Sequence, residues 1–325
     1  MAELSNQLMA FTVLAYLAAM VCYAAEYAFG KRSRIGKAAV RPAKQLVGAG
    51  AAVPPDAPVT PDAPVTKAKA SRGELAGRIA VGLTVLGFAL HLGSTVTRGL
   101  AAERMPWGNM YEYIITSALV GAGVFVTILL RKPALRHLGL FASLALVVLL
   151  GAASLIAYTP VGPLVPALNS YWFIVHVSTI IVSSGIFLFG AIPAVMFLIK
   201  DGYDAGRRSF PYTLGKRVGD AGALERLTFR LHAFAFPLFT FGALIAGPLW
   251  AEASWGRYWG WDPKEVWAFI SWVVYAAYLH ARATPSVKRT VATWIALLGF
   301  VTMLMNLFGV NLFFEGLHSY ADAGD

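Results

Sequence analysis

Cysteine is almost absent: Cys22 is the only one in 325 residues. The chain therefore cannot form an internal disulfide and has neither a CxxC pair nor a CxxCH motif. Any thiol chemistry has to come from a partner, and Cys22, inside an apolar run, reads as a small buried hydrophobe. Charge is scarce too, at 14% of residues against 58% hydrophobic, and the mean hydropathy is +0.62. A soluble domain does not carry so much apolar surface, whereas a membrane protein does. Acidic residues are the scarcer charged class, 17 against 27 Lys and Arg, for a net charge of +10. The distribution of that charge excludes the nucleic-acid reading.

Eight apolar runs are each long enough to cross a hydrocarbon core: about 8–29, 75–97, 111–130, 138–157, 172–199, 231–250, 266–283 and 291–311. In lipid every backbone polar group needs an internal partner, so these runs are expected to be helices. No Lys or Arg precedes the first run, unlike a secretory signal peptide, so it is expected to be a retained helix. Alternate segments (30–74, 131–137, 200–230 and 282–290, with Arg78) hold 23 of the 27 Lys and Arg. The other side has only Arg98, Arg104, Arg257 and Lys264. This positive-inside asymmetry puts both termini outside the cytoplasm. The expected fold class is an all-α polytopic membrane protein of about eight transmembrane helices.

Three regions follow. Residues 1–29 are the first transmembrane helix. Residues 30–74 are a basic, Pro/Ala-rich cytoplasmic linker with PDAPVT repeated in tandem at 55–60 and 61–66, a composition that reads as disordered. Residues 75–325 form the main membrane domain, with a tryptophan-rich outer loop at 250–267. Segment 200–230 is expected to be a loop with a short amphipathic helix.

Six of the nine Trp lie between Trp250 and Trp272. An interfacial aromatic belt accounts for one or two Trp per helix end. It does not account for Trp255, Trp259 and Trp261 in a Gly-interrupted loop, a composition suited to a flat platform for a large planar ligand. Asp262, Pro263 and Glu265 spell a helix start, so Asp262 is expected to cap the seventh helix and is also a candidate ligand contact. Asn109 and Glu112 repeat the spacing at the third helix.

Of the six histidines, His137 and His232 sit beside basic residues and read as cytoplasmic interface residues. His176 lies about 7 Å inside the outer end of the fifth helix at 1.5 Å per residue. His318 follows the eighth helix on the same side. Imidazoles are common axial ligands of haem iron, so these two, on the face of the Trp loop, could hold one haem. Arg257 and Lys264 could then pair with its propionates or be ordinary surface charges. His280 lies roughly 25 Å below the loop, too deep for the same site. It belongs either to the inner interface or to a second site. His91, at another depth, does not pair with it.

The segment WGRYWGWDPKEVW, Trp255 to Trp267, with PWGNMYE at Pro106 to Glu112 and GLHSY at Gly316 to Tyr320, resembles the haem-handling "WWD" family. That family includes the CcsA/ResC-type subunit of the system II cytochrome c synthase. The resemblance covers roughly residues 75–325. It implies haem b, bound non-covalently in transit, with His176 and His318 as iron ligands at the outer face. It implies that His280 ligates haem within the membrane, its mate standing on a ResB-type partner subunit. The implied substrate is an apocytochrome c with a CxxCH motif, kept reduced indirectly by an extracytoplasmic thioredoxin-like thiol reductant. Ala- and Arg-rich usage suggests a bacterial cell membrane as the setting, and a plastid version would have the same topology. Two rivals stand beside this reading: a dihaem electron-transfer protein of cytochrome b type, and a solute transporter, which would show internal repeats and broken helices.

Overall fold

The computed structural model describes residues 1–29 and 72–318. The linker expected at 30–74 lies outside the described residues except for 72–74, which open a helix. Ser319 and Tyr320 of the GLHSY segment also lie outside them.

Helices account for the regular structure, with no strand among the described residues. They are α1 (Ala2–Phe29), α2 (Arg72–Ala102), α3 (Met110–Arg131), α4 (Gly139–Ile156) and α5 (Tyr171–Asp204). Next come α6 (Ala221–Phe241) and α7 (Gly247–Trp255), joined without a break by a π-helical turn at Gly242–Ala246. Then α8 (Pro263–Ala283) is followed by α9 (Arg289–Leu304) and α10 (Val310–Phe313), the last two joined by a second π-turn, Met305–Gly309.

Among the described residues, seven helical segments are long and apolar enough to cross a membrane. The eighth expected run, 266–283, falls in α8, which has the length at 21 residues. Its Lys264, Glu265, His280 and Arg282, with interspersed Trp and Tyr, lower its hydropathy, and it is not among the seven. Segment 200–230 is shorter as a loop than expected, because α5 runs on to Asp204 and α6 begins at Ala221. Between them stands only a 3-10 turn, Tyr212–Lys216. His232 is thereby moved from the start of a helix to the middle of α6, where it is 1% exposed and packs on Phe187, Tyr275 and Tyr278. The sequence reading failed there because the amphipathic first turns of α6 are too polar to register as an apolar run.

Lipid tails are as apolar as Leu, so helix association in a membrane depends on close packing and polar contacts. Gly185 on α5 faces α3 so tightly that a Cβ there would stand 2.5 Å from the Ser117 carbonyl oxygen, and one on Gly121 would stand 3.2 Å from the Gly185 oxygen. Small residues bring these two backbones together. Polar contacts tie the remaining helices at both ends. At the basic end Arg136 pairs with Glu26, and Arg282 with Glu225. At the Trp-loop end Ser5 of α1 donates to the Ser94 carbonyl of α2.

The most buried ion pairs are also at the Trp-loop end. Arg98 was expected in a loop, but α2 extends to Ala102 and its guanidinium is fully buried. Its Nε lies 2.9 Å from Glu112 Oε1, while Arg104 binds Glu112 Oε2 at 2.7 Å. The Gly108 amide donates to the same carboxylate at 2.8 Å. Asn109 caps α3 by accepting from the Glu112 amide. Glu112 therefore does not complete a reciprocal box with Asn109; its carboxylate is taken by two arginines. The cluster pins the turn at 103–109 to α3, and Arg98 also reaches the Thr159 carbonyl in the next loop.

Candidate functional site at the tryptophan-loop end

Two irregular turns and one helix cap position the site. The π-turn Gly242–Ala246 uses an i to i+5 bond, Gly247 N–H to Gly242 O. The widened turn leaves the Gly242 oxygen open to a second donor, and His176 Nδ1 bonds it at 2.8 Å. A carbonyl only accepts, so Nδ1 carries the proton and Nε2 keeps its lone pair. π-turns recur at functional sites, and this one fixes a histidine tautomer.

The cap is Asp262. Its carboxylate accepts from the Lys264 amide at 3.1 Å, and Glu265 reaches back to the Asp262 amide at 3.1 Å, completing the expected capping box. The same carboxylate also binds the C-terminal segment. Oδ1 lies 2.8 Å from His318 Nδ1, and Oδ2 accepts from the Leu317 amide at 2.6 Å. Gly316 lets the segment approach, since a Cβ there would come 2.5 Å from Asp262 Oδ2. Burial acts to raise the Asp262 carboxyl pKa. Hydrogen bonds from the His318 ring and from the Leu317 and Lys264 amides outweigh it and hold the group below its ordinary range. As in His176, Nδ1 of His318 is engaged and Nε2 is left as the ligating nitrogen.

Trp250 joins the two histidines. Its indole stacks on the His176 ring at 5.5 Å and 15°, and meets the His318 ring edge-on at 5.3 Å. Trp255 flanks His318 at 4.8 Å and Trp250 at 4.8 Å.

Beside this group lies a cavity of ≈ 240 Å³ lined by both histidines, Trp107, Trp250, Trp259 and Lys264, among others. Lys264 donates to the Asn306 carbonyl at 2.8 Å. Asn306 belongs to the second π-turn, so both π-turns offer a carbonyl to a cavity side chain. The indole N–H groups of Trp107 and Trp259 are buried without a hydrogen-bond partner. A native interior rarely leaves such donors unpaired. Two unpaired donors, a lysine and two imidazoles with free Nε2 atoms fit a large, flat ligand that carries acceptor groups and a coordinating metal. Haem is such a ligand.

The expected residues do not all converge. Trp261 adopts a positive φ of 58° and is 70% exposed, packed edge-on against Trp259 and not lining the cavity. Arg257 is exposed, with its guanidinium folded over Gly260, and it does not line the cavity either. His280 is exposed on α8, on one stripe with Phe269, Val273 and Ala277. His91 is fully buried against Tyr16, in a different part of the bundle from His232. Sequence reasoning missed Trp107 and Trp250 as members of the site. Trp107 stands in the PWGNMYE segment, but nothing in one dimension aims its N–H. Trp250 ends an apolar run and looks like an ordinary interfacial residue.

Known proteins resemble the chain along most of this domain. Three relatives carry the name cytochrome c biogenesis protein CcsA. The one from Guillardia theta is 34% identical over 242 residues, covering 69% of this chain and 79% of the relative. That from Synechococcus elongatus is 33% identical over 268 residues, covering 69% and 81%. That from Gloeobacter violaceus is 32% identical over 283 residues, covering 70% and 82%. Among solved structures, the cytochrome c haem lyase CcmF superposes with a TM-score of 0.55 at 19% identity. It covers 94% of this chain, which spans about half of that protein's length, 46%. At that identity the likeness concerns the fold. The description "Cytochrome C assembly protein" matches residues 107–318, a span that holds every residue of the cavity group described above. The chain is a member of the cytochrome c assembly protein family.

Proposed function

We propose that this protein holds haem at the outer face of a bacterial cell membrane and presents it for covalent attachment to apocytochrome c, as a subunit of a cytochrome c synthase. The observation that carries the reading is the pairing of His176 and His318 about Trp250. Both have Nδ1 engaged and Nε2 free, beside a cavity with unpaired indole donors. Family membership supports the same reading. Haem b is cargo here, bound without a covalent bond. The two imidazoles hold its iron, Trp259 in the cavity wall covers its face, Trp255 backs the His318 ring, and Lys264 faces a propionate.

The reactive groups belong to haem and substrate. Each thiol of the substrate's CxxCH motif adds across a haem vinyl group, giving a thioether with no change in atom count. This chain positions the haem and controls access to it. Its lack of a CxxC pair leaves thiol reduction to a thioredoxin-like partner. His280, exposed on α8, is assigned to haem in transit, with its second ligand on a ResB-type subunit.

A dihaem electron carrier would pair histidines at matched depth inside the bundle. His91 and His232 are instead enclosed in separate clusters, one with Tyr16 and the other with Phe187, Tyr275 and Tyr278.

The test expresses the chain with its ResB-type partner in a strain lacking its own synthase and measures covalent haem on a reporter cytochrome. His176→Gly and His318→Gly are expected to abolish maturation, and added imidazole to restore it. Wild-type maturation by both variants at equal expression would overturn the ligand assignment.

A further inference from the structure

Asp262 makes more contacts than a helix cap requires. One carboxylate accepts the Lys264 amide of α8, the Leu317 amide and the His318 Nδ1–H. Its side chain is 4% exposed and that of His318 is 16% exposed, so water competes little for these bonds. His176 is oriented differently, by the neutral Gly242 carbonyl. The two imidazoles thus face acceptors of opposite kind: an anion behind His318 and a dipole behind His176.

We infer that Asp262 is the positioning residue of the site: it docks the segment that carries His318, fixes that ring with Nε2 toward the cavity, and makes it the stronger electron donor of the pair. This deepens the function proposed above and rests on His318 being an iron ligand. The physical reason is general. A carboxylate that accepts the second N–H of a metal-bound imidazole orients the ring and raises its basicity, and its loss typically lowers metal affinity about 10–100-fold. A stronger donor also favours the ferric state, so the carboxylate should lower the reduction potential of the bound haem.

Asp262→Asn separates this role from capping. Asn is as good a helix cap as Asp, so α8 keeps its start while the anion is lost. The full-length chain in detergent is titrated with ferric haem and then poised electrochemically. The expected result is affinity lowered about 10–100-fold and a raised reduction potential, with helix content unchanged. Without haem, amide exchange at Leu317 is expected to accelerate, since its acceptor is weakened. In His318→Gly, free imidazole can take the vacated place against Asp262, so His318→Gly with Asp262→Asn should need about tenfold more imidazole for the same haem occupancy. A merely structural role for Asp262 would leave that imidazole requirement unmoved.

If Asp262→Asn matches wild type in affinity, potential and Leu317 exchange while His318→Gly loses haem, the inference fails and the ligand assignment stands. If His318→Gly itself keeps wild-type haem affinity and spectrum, the ligand assignment fails and the inference falls with it.

Discussion

The indole of Trp250 lies parallel to the His176 imidazole, 5.5 Å away at 15°, and meets the edge of His318 at 5.3 Å. It is 2% exposed and also packs on Phe173. An aromatic in this place sets the spacing and tilt of both histidines at once. Trp250→Phe should keep most haem binding, and Trp250→Ala should lower it at least about tenfold. The stacked ring is worth about 0.5–1.5 kcal/mol beyond burial, and the space left would free both rings. Haem titration and the bis-histidine absorption spectrum check this. A wild-type spectrum in Trp250→Ala would show that the histidines hold their geometry without it.

The tryptophan loop should divide sharply by residue. Trp259 and Lys264 line the cavity, whereas Trp261 and Arg257 do not. Trp259→Ala and Lys264→Met are each expected to weaken haem binding by about 1.5–3 kcal/mol, the value of a charge-assisted hydrogen bond or its equivalent. Trp261→Ala and Arg257→Ala should stay within about 0.5 kcal/mol of wild type, as surface changes do. Parallel haem titrations of the four variants decide it. Equal losses in all four would return Trp261 and Arg257 to the site.

Glu112, fully buried, balances two arginines, of which Arg98 is fully buried as well. Glu112→Gln should cost about 3–5 kcal/mol of stability, because it leaves the Arg98 charge buried and uncompensated. The double change with Arg98→Met should recover much of that loss. Thermal unfolding in detergent measures both. A Glu112→Gln variant as stable as wild type would mean that the buried pair contributes nothing.

At the crossing of α3 and α5, Gly185→Leu should separate the helices and destabilise the bundle by about 1–3 kcal/mol, the usual range for overpacking. A leucine on the exposed face, at Ala277 of α8, should be neutral. Comparison of the two unfolding midpoints tests whether close backbone approach holds this interface.

The sequence by itself determined the class of the molecule. Apolar runs of membrane length can only be helices in lipid, and the Asp262, Pro263, Glu265 start of α8 is local chemistry, readable from three residues. That His176 and His318 share an end of the bundle with the Trp loop was legible as well, from the order of the apolar runs. Local pattern misled where polarity and helicity part company, as in the polar first turns of α6 that hid the burial of His232. It misled also at Trp261, whose positive φ turns it away from the cavity that Trp259 faces. What only the tertiary structure decided is which atoms meet. Two π-turns open the carbonyls of Gly242 and Asn306 to His176 and Lys264. One carboxylate caps a helix and holds a histidine 56 residues away. Spacing along a chain fixes periodicity and local hydrogen bonds. The direction of a lone pair at His176 or His318 depends on backbone from another helix, and only the packed bundle brings that backbone into reach.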